Sequence, residues 1–209
     1  MTCRLADYAD SNTIVPMVIA HHLILTGYGH WLPNDPRGSL SKDIRAGKLL
    51  PLGPIHYGRK AVQPSRVELR SFHAQARDLL EHDVLWFDAA KRQAIAEAFA
   101  QVMDTRRYTC WACAILSNHA HLVIRKHRDK AETMHDELRR ASAIRLRRSA
   151  DIPDDHPVWS NDRYKKFLST AEAVERTIRY VENNPVKEGV SSPALAFVRP
   201  RRGAWSGRR

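Results

Sequence analysis

The sequence predicts an α+β fold: a ferredoxin-like split β-α-β sheet with helices on one face, a C-terminal helix and a long insertion after the first strand. Three observations carry this reading. Segments of strand and helix character follow one another as strand, helix, strand, strand, helix, strand, helix. The second and third strands are separated only by Ser117 and Asn118, a two-residue polar break at hairpin spacing. Between the first strand and the first strong helix lies a region with many Gly and Pro residues and little periodicity, which marks a long loop.

The elements follow in order. Residues 18–28 read as the first strand, rich in Ile and Leu and closed by Gly27 and Gly29. Residues 30–63 form the extended loop, and residues 67–80 a helix with Val67, Ala74, Arg77 and Leu80 near helical spacing. Residues 88–106 form a stronger helix, capped by Asp88, with an apolar stripe of Ile95, Phe99, Val102 and Met103. Residues 108–116 and 119–125 pair as the hairpin. Residues 130–148 form a helix carrying Met134, Leu138, Ala141 and Leu146 among many arginines. A loop with Pro153 leads to a short strand over 163–168. Ser169 opens the last helix, with Glu172 three residues on as a capping box. Val174, Ile178 and Val181 recur there at helical spacing, and Pro185 is expected to stop it. Residues 1–190 thus read as one catalytic domain with an insertion over about 30–85. Residues 191–209 read as a flexible basic tail, with Arg199, Arg201, Arg202, Arg208 and Arg209 among Pro and Gly.

Composition points to a polyanionic partner. Lys and Arg number 34 against 23 acids in 209 residues, a net charge of +11. Nucleic acid is the commonest partner for such a balance, and a membrane surface is the alternative. No run approaches the ~18 apolar residues of a membrane span. The apolar run over 14–25 is interrupted by Pro16, His21 and His22 and does not make a signal peptide, so a cytoplasmic location is expected. Three cysteines give no disulfide framework. Cys110 and Cys113 form a CxxC without a second pair. On a strand, that spacing turns them to opposite faces, as small core residues.

Two constellations carry chemistry. In His119-Ala120-His121, the two imidazoles at i and i+2 project from one face of a strand, while Ala120, Leu122 and Ile124 bury the other. Two adjacent imidazoles can chelate a divalent ion, and an exposed pair with no ligand is the alternative. On the last helix Tyr180 and Asn184 are i and i+4, so they share a face. A tyrosine beside an amide oxygen can serve as an attacking phenol next to a metal ligand. Equally, the Tyr can simply pack and the Asn simply end the helix. Together the two constellations fit one reaction: phosphodiester cleavage by a tyrosine nucleophile with a metal to neutralise phosphoryl charge.

These residues resemble a known family. His119-Ala120-His121, inside the segment SNHAHLVI, matches the His-hydrophobic-His signature of the HUH transposases. Residues 180–190, YVENNPVKEGV, are similar to the tyrosine helix of the REP-associated tyrosine transposases, a group within the single-tyrosine HUH transposases of bacterial insertion sequences. The early stretch TGYGHWLPNDPRG, residues 26–38, also resembles an N-terminal block of these proteins. The likeness spans about residues 18–190. It implies a ferredoxin-like palm in which His119 and His121 bind Mg²⁺ or Mn²⁺ with Asn184 as third ligand. It implies further that Tyr180 attacks the scissile phosphate and becomes linked to a 5′-phosphate. The implied activity is DNA transposase-type nicking and strand transfer on single-stranded DNA carrying a hairpin, by a monomer or homodimer and without a membrane partner. The alternative is a protein that binds hairpin DNA or RNA without cutting, for which the histidines and the tyrosine would be superfluous. The stretch 30–85 is longer than a compact palm needs.

Arg139, Arg140, Arg145, Arg147 and Arg148 cluster on the helix after the HxH strand and are the candidate DNA phosphate contacts. Trp31, Trp159 and Tyr164 are candidates for stacking on unpaired bases, with a core role the alternative for the last two. His21, His22, His30 and His56 have no partner that the sequence defines.

Overall fold

The computed structural model describes residues 17–149, 152–189 and 195–201. Strands β1 (Ala20–Thr26), β2 (Cys110–Ile115), β3 (His119–Arg125) and β4 (Tyr164–Leu168) form one sheet in the order β2-β3-β1-β4. Every neighbouring pair is antiparallel. The connections from β1 to β2 and from β3 to β4 each skip one strand, which is the expected split β-α-β arrangement. The helices are α1 (Arg66–Leu79), α2 (Ala89–Arg106), α3 (Ala131–Ser149) and α4 (Ala171–Glu188). None of them is long and apolar enough to cross a membrane, among the described residues.

Strand alternation sorts the sheet into two faces. Leu23, Leu25, Ala120, Leu122, Ile124 and Ile115 point one way and meet Ile95 and Phe99 of α2 and Met134 and Leu138 of α3 in the main core. Ala20, Ala112, Ala114, Val123 and Leu168 point the other way, beneath Val174 and Val181 of α4. The small side chains on that second face let α4 lie close over β2 and β3. The helices on one face are therefore α2 and α3, and the C-terminal helix takes the other face.

The hairpin forms as its spacing predicts: the Leu116 N–H donates to the His119 carbonyl at 2.8 Å across Ser117-Asn118. Asp88 caps α2 by accepting from the Lys91 N–H. Three local expectations are corrected. A bulge between Cys110 and Ala112 shifts the β2 register, so Cys110 and Cys113 face the same core instead of opposite sides. Both are free and buried, and burial pushes the Cys110 thiol up to about 12. The last helix is capped by Thr170, which accepts from Ala173 N–H, rather than by Ser169. Nor does Pro185 end it. α4 runs through the proline to Glu188 and stops at Gly189, whose left-handed conformation (φ 64°) closes the C-terminus. A missing N–H removes one helical bond at Pro185, but packing of Val181 and Pro185 against the sheet holds the last turn. Asn184 consequently stays helical, on the same face as Tyr180.

Part of the expected tail is docked. Val198 bridges to Cys110 beside β2, the Arg199 N–H donates to the Cys110 carbonyl at 2.8 Å, and Arg201 pairs with Glu175 at 3.1 Å. Arg202, Arg208 and Arg209 lie outside the described residues.

Leu122 anchors the buried underside of the HxH strand and is fully enclosed. Leu122→Ala is expected to lower unfolding free energy by about 2–5 kcal/mol, read as a reduced urea midpoint. An unchanged midpoint would show that this core does not hold β3 in place.

Candidate active site

The site is assembled on the sheet face that α4 covers. Antiparallel pairing sets Thr26 opposite His119, Ile24 opposite His121 and His22 opposite Val123. All of these side chains point toward α4, so β1 delivers His22 beside the HxH pair. The side chains of His22, His119 and His121 are all buried.

The histidines form a chain of ring-nitrogen contacts. Asn118 Oδ1 lies 2.6 Å from His119 Nδ1, an arrangement in which Nδ1–H donates and Nε2 is left with its lone pair. His121 Nδ1 lies 3.1 Å from His22 Nε2, and the His22 ring stacks on His121 at 5.2 Å. The Nε2 atoms of His119 and His121 lie 2.9 Å apart: with His22 Nε2–H donating to His121 Nδ1 they share a hydrogen bond, and with His121 Nδ1–H donating to His22 both present lone pairs. Burial, first of all, holds all three imidazoles neutral near pH 7: His22 and His119 are lowered to about 4, and His121 is held well below its ordinary value, reinforced by its histidine neighbours. Neutral imidazole is the metal-ligating form.

Do these residues fit a divalent ion? Two nitrogens bound at ~2.1 Å to one ion at a right angle lie roughly 3 Å apart, which matches the observed 2.9 Å. Partners on the far nitrogens, Asn118 for His119 and His22 for His121, are the outer contacts that fix imidazole orientation at metal centres. Asn184 is buried, and its Nδ2 has no hydrogen-bond partner. A 180° turn of that amide exchanges Oδ1 and Nδ2, so the same position can present an oxygen. Tyr180 and Glu188 flank Asn184 one turn away on the same face of α4. Tyr180 packs on His121. Partial burial raises the Glu188 carboxyl pKa, against hydrogen bonds from Ser117 that lower it. Asn184 thus lies over the start of β3. Among the described residues, no three His, Cys, Asp or Glu side chains converge as a metal centre. The donor set is two histidines and an amide, and it fits an ion that takes its remaining ligands from water or substrate.

Tyr180 is 47% exposed, with its ring 5.6 Å from that of His121 and 6.3 Å from that of His22, both edge-on. Lys187 Nζ sits 5.6 Å above the Tyr180 ring, one cation beside the phenol. The tyrosine and both HxH histidines open onto one cleft of about 420 Å³. Trp31, Arg37, Gly38, Leu40 and Arg59 of the insertion form its other wall.

That wall is rigidly held. The Arg37 guanidinium donates through Nε and Nη2 to the fully buried Asp35 carboxylate at 2.9 and 2.6 Å. It also lies 4.7 Å over the Trp31 ring, and that ring meets His119 edge-on at 5.0 Å. Trp31 adopts φ +48°, a left-handed conformation costing a non-glycine residue of order 1–3 kcal/mol. Gly38, at φ +97°, admits no side chain, because a Cβ there would fall 1.8 Å from the Gly58 carbonyl oxygen.

The structure thus brings His119, His121 and Tyr180 to one cleft, with Asn184 buried one turn beyond Tyr180 on α4. Of the five α3 arginines, only Arg139 reaches the edge of the cleft. Arg140 pairs with Glu137, and Arg145 pairs with Glu97. Arg147 donates to the His156 carbonyl, Arg139 to the Asp162 carbonyl at the edge of the cleft, and Arg148 is exposed. Trp159 is core, packed on Phe87 and bonded to Ser142, whereas Tyr164 lines the cleft. His22, which the sequence left without a partner, contacts His121 in the site. The alternation of β1 signalled its face, but only the β1–β3 register names His121 as its neighbour. Of the remaining histidines, His21 packs on Phe167, His30 contacts the Leu85 carbonyl and His56 the Asp35 carbonyl.

No family model and no curated protein matches the chain. Among solved structures, it is similar to a REP-associated tyrosine transposase bound to a REP hairpin, at 11% identity and a TM-score of 0.46, covering 91% of this chain and 76% of that one. It is also similar to a Deinococcus radiodurans protein assigned as a transposase, at 12% identity and a TM-score of 0.38, covering 80% of this chain and 91% of that one. Likeness at this level identifies no shared substrate.

The buried histidines make stability pH-dependent. An unfolded chain protonates them near pH 6.5, whereas in the folded protein His22, His30, His119 and His135 protonate near 4. Between those values the unfolded state binds more protons. Stability is full above about pH 6.5 and falls as pH drops toward 4. Without divalent metal, the urea midpoint is expected to decline from pH 7 to pH 5. A constant midpoint over that range would contradict neutral burial of these rings.

Proposed function

We propose that this chain is a transposase-type enzyme that nicks and rejoins single-stranded DNA bearing a hairpin, through a 5′-phosphotyrosine at Tyr180. The observation that supports this most is the seating of an exposed phenol directly against a buried, neutral, two-histidine chelate in one open cleft.

His119, His121 and Asn184 would hold the ion. A bound Mg²⁺ or Mn²⁺ supplies Lewis-acid neutralisation of charge on the scissile phosphoryl oxygens. Asn118 and His22 keep the two ring Nε2 atoms aimed at that position. Tyr180 Oη forms a bond to phosphorus as the bond from phosphorus to the 3′ oxygen breaks. The phenol loses one proton and the departing 3′ oxygen gains one, leaving a free 3′-hydroxyl. The phosphotyrosine conserves the ester bond, so a 3′-hydroxyl of the same or another strand can reverse the step without ATP. A net charge of +11 draws the strand in. The arginines of α3 are secondary candidates for phosphate contacts, because all but Arg139 lie away from the cleft.

Incubating the full chain with labelled hairpin-bearing single strands and Mg²⁺ should give a denaturation-resistant adduct. Tyr180→Phe keeps the ring packing and should remove the adduct while DNA binding stays within about twofold. His119→Ala, His121→Ala and EDTA should each reduce cleavage below detection. An adduct that survives in Tyr180→Phe moves the nucleophile elsewhere, with Tyr164 the next candidate. Hairpin binding without any adduct would leave a non-cleaving binder of hairpin DNA or RNA.

A further inference from the structure

The insertion is not a passive loop. It crosses back on itself at Gly38 and Gly58, where Ser39 N–H donates to the His56 carbonyl and Gly58 N–H to the Ser39 carbonyl, both at 2.7 Å. Ser41 Oγ ties it to the Asp162 carboxylate ahead of β4 at 2.7 Å. The result is a preformed wall facing Tyr164, His119, His121 and Tyr180 across the cleft.

We propose that this cleft is a binding pocket for one unpaired nucleotide of the DNA strand, next to the phosphate that Tyr180 would attack, with Trp31 and Arg37 as its recognition residues. The proposal rests on the phosphotyrosine reading for its place in the reaction, but not for the binding itself. The chemistry of the walls selects the ligand. Trp31, Leu40, Ile24 and Tyr164 offer planar and apolar surface, the kind on which a base stacks. Arg37 spends Nε and Nη2 on Asp35 and keeps further N–H donors for a phosphate or a base edge. Arg59 is exposed at the rim and, among the described residues, has no ion-pair partner, so its charge is available to the backbone phosphate. Gln63 adds an amide at the same rim. A volume of about 420 Å³ lies in the range of pockets that hold small ligands. It admits one nucleotide and excludes a duplex, whose bases must first leave the stack to enter such a site. Trp31 also touches His119, so an occupied pocket would abut the metal-ligating histidines.

The test uses the full chain as Tyr180→Phe, without metal, titrated with the four 5′-deoxynucleoside monophosphates and with 2-deoxyribose 5-phosphate as the base-free control. The readout is Kd by calorimetry or by NMR shift. At least one nucleotide is expected to bind at least about tenfold tighter than the sugar phosphate. Trp31→Ala should lose roughly 5- to 100-fold in nucleotide affinity, the range that removing one stacked aromatic gives. Trp31→Phe, which keeps a ring, should recover most of it, and circular dichroism should confirm that both variants are folded. Equal binding of sugar phosphate and nucleotide, no binding of any nucleotide, or wild-type affinity in Trp31→Ala would overturn the pocket. Nucleotide binding with no adduct in the hairpin assay would overturn the phosphotyrosine reading and leave the pocket standing.

Discussion

Two neutral imidazole nitrogens, Nε2 of His119 and Nε2 of His121, are held 2.9 Å apart on one face of a buried strand. Around this pair the rest of the site is arranged. At that distance a neutral N–H of one ring can bond to the lone pair of the other, and a divalent ion sharing both lone pairs would take the place of that hydrogen. Burial opposes the charged form of both rings and so keeps them able to ligate. The β1–β3 register is the structural condition for this, since it sets His22 behind His121 and leaves Asn118 to hold His119.

The second face of the sheet explains why Tyr180 sits beside the pair. Ala112, Ala114 and Ala20 are small, so α4 seats closely through Val174 and Val181. Its Tyr180–Asn184 face then falls over His121 and the start of β3. Helical continuation through Pro185 matters here, because a helix ending at Asn183 would free Asn184 from the Tyr180 face. The opposite face, with its larger Leu and Ile side chains, supplies the main core.

Much of this was readable in advance, for physical reasons. Strand and helix periods are local properties, so the order of elements, the two-residue hairpin and the same-face geometry of His119 with His121 could be taken from spacing. The facts that needed tertiary structure are those set by pairing across the chain. His22 meets His121 through a separation of 99 residues. The insertion reads as featureless because backbone crossings at Gly38 and Gly58, not periodicity, shape it. The α3 arginines cluster in sequence, but helical spacing pairs Arg140 with Glu137, and packing of α2 on α3, which no local pattern shows, pairs Arg145 with Glu97. The cationic side chains that do line the cleft, Arg37 and Arg59, stand alone in the loop and form no cluster that a sequence scan would single out. Likewise the bulge at Cys110 overrode the simple alternation that would have parted the two cysteines.

The proposed chelate would be formed by the HxH pair and Asn184. Its most direct test is a crystal of the full chain soaked in Mn²⁺, with anomalous scattering recorded to locate the metal. The account predicts a single strong peak about 2.1 Å from both histidine Nε2 atoms, with Asn184 Oδ1 as the third protein ligand. No peak at that position, or a peak held by other side chains while His119 and His121 remain bonded to each other, would contradict it.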